Sequence, residues 1–207
     1  LLFILFINDL PLKIGTSVSS TDSYADDTTL SEMGKTKTVL ENNLQDTLNR
    51  LQVWFKENSM NINTEKTKAL LVTLQQKRAR LDGDKLQVLF DNVSLNMTSQ
   101  DRILGVFIDK NLTWSICTKH ISKKVNSYLW LRRKIKTYNP LQCRVIFYKS
   151  YIQPYLDYCN VIWGNTSISN IRLQKRACHL ILDQCIDNFQ DAMNNIKVLT
   201  IHERIFL

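Results

Sequence analysis

The sequence predicts an α+β chain in two parts, strands mixed with helices first and helices alone afterwards. Three patterns carry that expectation. Leu86, Val88 and Phe90 alternate with polar neighbours, as do Val93, Leu95 and Met97, which is the period of half-buried strands. Leu40, Leu44, Leu48, Leu51 and Phe55 recur at steps of three and four, which is the period of an amphipathic helix. Beyond Thr113 the period of two disappears and only helical stripes remain. The boundary is expected near Leu112, dividing 1–112 from 113–207.

Along the first part, Ser23-Tyr24-Ala25-Asp26-Asp27-Thr28 is the densest signal. Two adjacent carboxylates repel each other unless a cation lies beside them. On a regular strand their side chains would point to opposite faces, so a pair that shares a metal wants a turn. A hairpin tip meets that need, and hard oxygen ligands of this kind suit Mg²⁺ with bound phosphates. Asp is also common in solvated turns, so the pair alone leaves both readings open.

Thr38 with Glu41 has capping-box spacing and predicts a helix over 38–57. Lys66 to Thr73 reads as a strand, and Gln76 to Asp84 as a mobile surface loop. Asp91-Asn92 between the two alternating runs predicts a hairpin, and Ile103 to Ile108 another short strand. In the second part Ile121, Val125, Tyr128 and Ile135 form one apolar stripe. Leu141, Val145, Tyr148, Ile152 and Tyr155 form another, so most of these tyrosines are expected to face inward. Asn139-Pro140 fits a cap followed by a first-turn proline, and Pro154 is expected to kink or end its helix near Gln153.

The Tyr24-Ala25-Asp26-Asp27 segment resembles the active-site hairpin of reverse transcriptases, in the form used by non-LTR (LINE-type) retrotransposons. Other segments are similar in order and spacing. Leu1 to Pro11 resembles the helix after the family's Pro-Gln-Gly motif. Trp54, Asn58 and Asn61-Ile-Asn63-Thr-Glu-Lys66-Thr67 resemble its fourth palm motif. Leu104-Gly105-Val106 with Asp109 and Trp114 resembles the primer-grip region. Tyr151 to Tyr158, Val161-Ile-Trp163-Gly164 and Leu173 to Ala177 resemble the LINE-type thumb.

The resemblance implies a partial polymerase palm, with antiparallel strands and packed helices, followed by a truncated, all-α thumb-like region. It implies RNA-directed DNA synthesis with RNA template, DNA primer and deoxynucleoside triphosphates as partners. Asp26 and Asp27 match the metal-binding carboxylates of a two-Mg²⁺ site. Tyr24, Leu104 and Gly105 match positions near the primer or nucleotide. Lys66 matches a lysine assisting the leaving pyrophosphate, or is an ordinary exposed lysine. The family's earlier catalytic Asp is not in the sequence, so an incomplete metal site and an internal fragment of a longer polyprotein are expected. A non-catalytic nucleic-acid-binding remnant and a purely structural helical module remain as alternatives.

Charge is unevenly placed. From Ser115 to Leu180 twelve Lys or Arg face one acid, Asp157, while the whole chain carries +8. Lys123, Lys124, Arg133, Lys134 and Lys136 are the expected nucleic-acid-binding residues, because a basic helical face suits a phosphate backbone. A merely solvated basic face is the alternative. The five cysteines show no Cys-x-x-Cys pair, so neither a zinc ribbon nor a disulfide framework is indicated. Cys117 with His120 and Cys178 beside His179 are the nearest approach to metal pairs. The run Leu1 to Ile7 is too short to span a bilayer and lacks signal-peptide flanks. An intracellular protein, nuclear or cytoplasmic, without membrane attachment is expected. The Asn92, Asn96, Asn111 and Asn165 sequons are then incidental.

Overall fold

The computed structural model describes residues 2–14, 20–78, 86–134, 140–164, 168–182, 189–195 and 197–205. Ile135, Lys136, Asn139 and Asn165, all singled out above, lie outside them. The chain is mixed helix and strand. It divides into two compact units, Leu1–Ser99 and Gln100–Leu207.

The first unit begins with two short helices, α1 (Leu2–Ile7) and α2 (Leu10–Ile14), followed by the antiparallel pair β1 (Ser20–Tyr24) and β2 (Asp27–Ser31). The long helix α3 (Lys37–Glu57) follows the expected periodicity and buries Thr47, Leu48, Leu51 and Trp54. Its cap differs from the expected one. Thr36, in extended backbone, accepts from the Val39 amide at 3.3 Å, while Glu41 accepts from the Gln87 amide at 2.8 Å. The capping-box spacing at Thr38 was therefore coincidental, since Glu41 is spent on a partner remote in sequence.

Beyond α3 come β3 (Lys68–Leu70), shorter than the strand expected over 66–73, and a single turn α4 (Gln75–Arg78) where a loop was expected. The rest of that loop, 79–84, lies outside the described residues. The hairpin β4 (Leu89–Phe90) and β5 (Val93–Ser94) turns through Asp91 and Asn92, both at positive φ, as an Asx pair tolerates. β6 (Asn96–Thr98) then pairs with β3 in parallel, a departure from the all-antiparallel expectation. Leu10, Ile14, Leu48, Leu51, Trp54, Leu86, Val88 and Phe90 form this unit's core. Burying a side chain of this size contributes roughly 1.5–3 kcal/mol.

Polar residues of α3 complete the packing. The Gln45 amide donates to the Leu89 carbonyl and accepts from the Leu89 amide, each at 2.9 Å. One side chain thus stands in for a neighbouring strand at β4, and Gln52 donates to Asp91 at the turn, 2.6 Å away.

In the second unit the segment expected as one strand over 103–108 is a hairpin, β7 (Gln100–Ile103) and β8 (Val106–Asp109). Leu104 and Gly105 form its two-residue turn at φ 45° and 89°. The strand break was hidden because Leu rarely occupies a left-handed turn position.

Helices follow: α5 (Ser115–Lys134), α6 (Leu141–Phe147), α7 (Gln153–Asp157), α8 (Asn160–Trp163), α9 (Ile168–Leu182), α10 (Phe189–Asn195) and α11 (Ile201–Ile205). Pro154 does not end its helix near Gln153. A π turn at Tyr148–Ile152 joins α6 to α7, with Pro154 in the first turn of α7. Widening one turn relieves the clash that the proline ring makes in a regular helix.

The second core centres on Val125, Leu129, Tyr148, Ile152, Leu156, Trp163, Ala177 and Ile181. Tyr148 faces inward as expected, and burial pushes its hydroxyl up to about 12. Tyr128 and Tyr155 are half-buried against the same core, while Tyr151 and Tyr158, which lie off both stripes, are half exposed.

Candidate active-site hairpin and nucleic-acid face

Asp26 and Asp27 sit at the tip of the β1–β2 hairpin, where the need for a turn predicted them. Tyr24 pairs with Asp27 across the strands, and Ala25-Asp26 form the connecting turn, with Ala25 at φ 53°. Cross-strand partners share a face. The register therefore sets Asp22, Tyr24, Asp27 and Thr29 on one face, with Thr21, Ser23, Thr28 and Leu30 on the other. Leu30 packs against the core, so the aspartate face looks outward. Tyr24, Asp26 and Asp27 are all exposed.

Asp22 was missed in the sequence; only the period-two spacing back from Tyr24 could have found it. The carboxylates do not gather into a closed cage. Among the described residues no group of three or more His, Cys, Asp or Glu is arranged to hold a metal. The donor chemistry still fits Mg²⁺, which commonly takes one or two carboxylates and completes its shell with water and substrate phosphate.

Lys66 is exposed at the end of a turn built by Asn63. The Asn63 side chain accepts from the Lys66 amide at 3.0 Å, and its carbonyl accepts from the Thr67 hydroxyl at 2.9 Å. This fixes the backbone at Lys66 immediately before β3.

In the second unit the Leu104 carbonyl accepts a hydrogen bond from the Tyr158 hydroxyl, which ties the β7–β8 turn to the end of α7. Gly105 lies against the same ring, since a β-carbon there would stand 3.4 Å from Tyr158 Cε1. A cavity of about 370 Å³ opens beside this turn, lined by Arg102, Phe107, His120, Tyr155 and Tyr158 among others. Asp109 anchors the following loop. Burial acts to raise its pKa, but hydrogen bonds from the Asn111, Thr113 and Trp114 amides and the Thr113 hydroxyl outweigh it. Its carboxyl is held below the usual range.

On α5 the buried residues Thr118, Ile121, Val125, Leu129 and Arg132 follow one stripe. Lys119, Lys123, Trp130 and Lys134 lie on the opposite side, flanked by Lys124 and Arg133, and all six are exposed. Lys134 Nζ stands 5.4 Å over the Trp130 ring. Two of the twelve basic residues are drawn inward. Arg132 is buried at 1% exposure, and Arg144 donates to the Ile181 carbonyl at 2.8 Å. Lys136 lies outside the described residues.

The cysteine pairs are accounted for by packing. Cys178 is buried against Met193, and burial pushes its thiol up to about 12; burial likewise raises Cys117. Such thiols stay protonated and inert. No helix among the described residues is long and apolar enough to cross a membrane.

Comparison with known proteins adds a second line to this geometry. The chain is 26% identical over 196 residues to the probable RNA-directed DNA polymerase from transposon BS of Drosophila melanogaster. It is 28% identical over 182 residues to the RNA-directed DNA polymerase from mobile element jockey of the same organism. The chain is thus similar to the RNA-directed DNA polymerases of two mobile elements. The two matches cover 88% and 82% of it, in agreement with the resemblance to the non-LTR family. It spans about a fifth of the length of these relatives, 21% and 19%. No protein-family model matches the chain, and no solved structure does.

Proposed function

We propose that this chain is a segment of a non-LTR retrotransposon reverse transcriptase, a palm portion over 1–112 and a thumb-like portion over 113–207. The observation that carries this reading is the outward Tyr24–Asp27 hairpin tip in a chain related to RNA-directed DNA polymerases. The reaction is template-directed transfer of a nucleotide to a primer 3′-hydroxyl. Asp26 and Asp27 would hold Mg²⁺, which would supply Lewis-acid stabilisation of the developing charge.

The residues of the chain do the rest by position. The tight turn presents Asp26 just beyond the last strand pair and Asp27 in that pair, both exposed to an incoming substrate phosphate. Tyr24, 69% exposed beside Asp27, offers a flat face to the primer terminus or the nucleotide. Lys66 offers an exposed ammonium to the leaving pyrophosphate. Leu104 and Gly105 give backbone that can approach the primer closely at the β7–β8 turn. The α5 face, with Lys123, Lys124, Arg133 and Lys134, binds phosphates of an RNA template paired with a DNA primer, and exposed Trp130 adds a stacking surface.

The test is Asp26→Asn in a polymerase carrying this segment. Primer extension should fall by at least about a hundredfold, with folding unchanged by circular dichroism. On the chain itself, Mn²⁺ should broaden the amide signals of Ala25 to Asp27, and Asp26→Asn should remove the effect. Near-normal extension by the variant would show that Asp26 is not a metal ligand.

A further inference from the structure

The second unit holds a cavity of about 390 Å³ between the π turn, α7 and the segment that enters α11. Its walls carry Lys149, Gln153, Asp157, Lys197 and Arg204. Two of these present buried polar atoms without a well-formed hydrogen bond: Gln153 Oε1 and the two terminal nitrogens of Arg204. Arg204 is the most telling. Its side chain is only 10% exposed, and its ion pair is with Asp157, Nε to Oδ1 at 2.9 Å. The guanidinium also acts on the Tyr148 hydroxyl, by its charge and by a side-chain hydrogen bond, and so lowers its pKa against the larger opposing effect of burial. Beyond that contact its two terminal nitrogens have no well-formed acceptor. Leaving buried charged donors unmet is costly, so a cluster of them around one cavity points to an occupant.

The charge balance says which kind. Asp157 is already engaged by Arg204 Nε, so the Lys149 and Lys197 ammoniums leave the cavity net positive. Lys197 is held there by the end of α10. Its amide bonds the Asn194 carbonyl and the Val198 amide bonds the Met193 carbonyl, both at 3.0 Å, with Lys197 at φ 52°. That is a Schellman cap, which fixes the backbone carrying the cation. Pro154 and Leu199 add an apolar wall. The volume is far larger than an oxyanion requires and falls within the range of small-molecule pockets.

We propose that this cavity binds a single nucleotide. The phosphate meets Lys149, Lys197 and the Arg204 terminal nitrogens, the base lies against Pro154 and Leu199, and Gln153 Oε1 accepts from an amino group on the base. The chemistry is that of a phosphate ester and does not depend on the polymerase reading. The nucleotide comes either from solution or from a strand with one base turned into the cavity.

Calorimetric titration of the full chain tests this with adenosine 5′-monophosphate, adenosine and inorganic phosphate. The monophosphate is expected to saturate one site, with adenosine and phosphate each at least about tenfold weaker. The exposed pair Lys149→Gln/Lys197→Gln should weaken the monophosphate by at least about tenfold with an unchanged circular dichroism spectrum. Charge reversal on α5 should leave it unaltered, which separates this site from the nucleic-acid face. Displacement by a single-stranded oligoadenylate supports a nucleotide of a strand, and failure to displace supports a free mononucleotide. Absence of saturable binding overturns the proposal. So does phosphate binding as tight as that of the monophosphate, or full affinity in the double variant.

Discussion

Reversing the charge of Lys123, Lys124, Arg133 and Lys134 to Glu is the most direct test of the α5 face. From Lys119 to Lys134 the helix advances about 22 Å, at 1.5 Å per residue. That reach covers roughly six steps of a duplex rising 3.4 Å per base. All four side chains are exposed on or beside the outer face, so each can neutralise one phosphate. Each such contact steepens the log–log dependence of affinity on salt by about 0.7 to 0.9. Four contacts thus account for a slope of roughly −3 to −4. Between 50 and 200 mM salt that is about a hundredfold in affinity.

Anisotropy titrations of a labelled RNA–DNA hybrid across that range measure the slope directly. The quadruple variant should bind more weakly at low salt and show a slope flatter by about 3. Its circular dichroism should be unchanged, because exposed substitutions rarely disturb a fold. An unchanged slope, or binding insensitive to salt in the unaltered chain, would reduce the α5 face to a solvated surface.

Two further predictions concern how the second unit holds its turn and loop. Asp109→Asn should destabilise the chain by about 2 kcal/mol at neutral pH, since a charged acceptor for three amides and a hydroxyl is weakened. The folded pKa lies below the unfolded one, so this contribution is present above about pH 4 and lost as pH falls through the folded value. Urea melts should therefore show the two proteins converging in acid, and a gap independent of pH would refute the role. At the β7–β8 turn the two positions should respond with opposite sign. Gly105→Ala places a side chain at φ 89° and should cost roughly 1–2 kcal/mol, while Leu104→Asn suits φ 45° better and should stabilise by up to about 1 kcal/mol. Equal shifts of the urea midpoint in the two variants would refute this account.

What was legible in the sequence was local. The aspartate hairpin, α3 and the buried side of α5 follow from turn chemistry and from periods of two and three to four, which depend only on near neighbours. What was not legible depends on partners far along the chain. Glu41 looks like half of a capping box until Gln87, remote in sequence, claims it. Gln45 reads as a solvent-facing helix residue until it completes the hydrogen bonding of Leu89. Arg132 and Arg144 count toward a basic surface until packing takes them inward.

The same distinction separates the two kinds of candidate site. The hairpin carboxylates are adjacent in sequence, so a motif can reveal them. The Lys149, Asp157, Lys197 and Arg204 cavity is assembled from the π turn with α7, the cap that ends α10, and α11, three parts of the chain that no spacing rule connects. Pro154 lines it from the first turn of α7. By forcing a wide turn into the helix, the proline shifts the register of Lys149 relative to Gln153 and Asp157. The residue that reads in the sequence as a helix breaker thus helps to build a binding cavity.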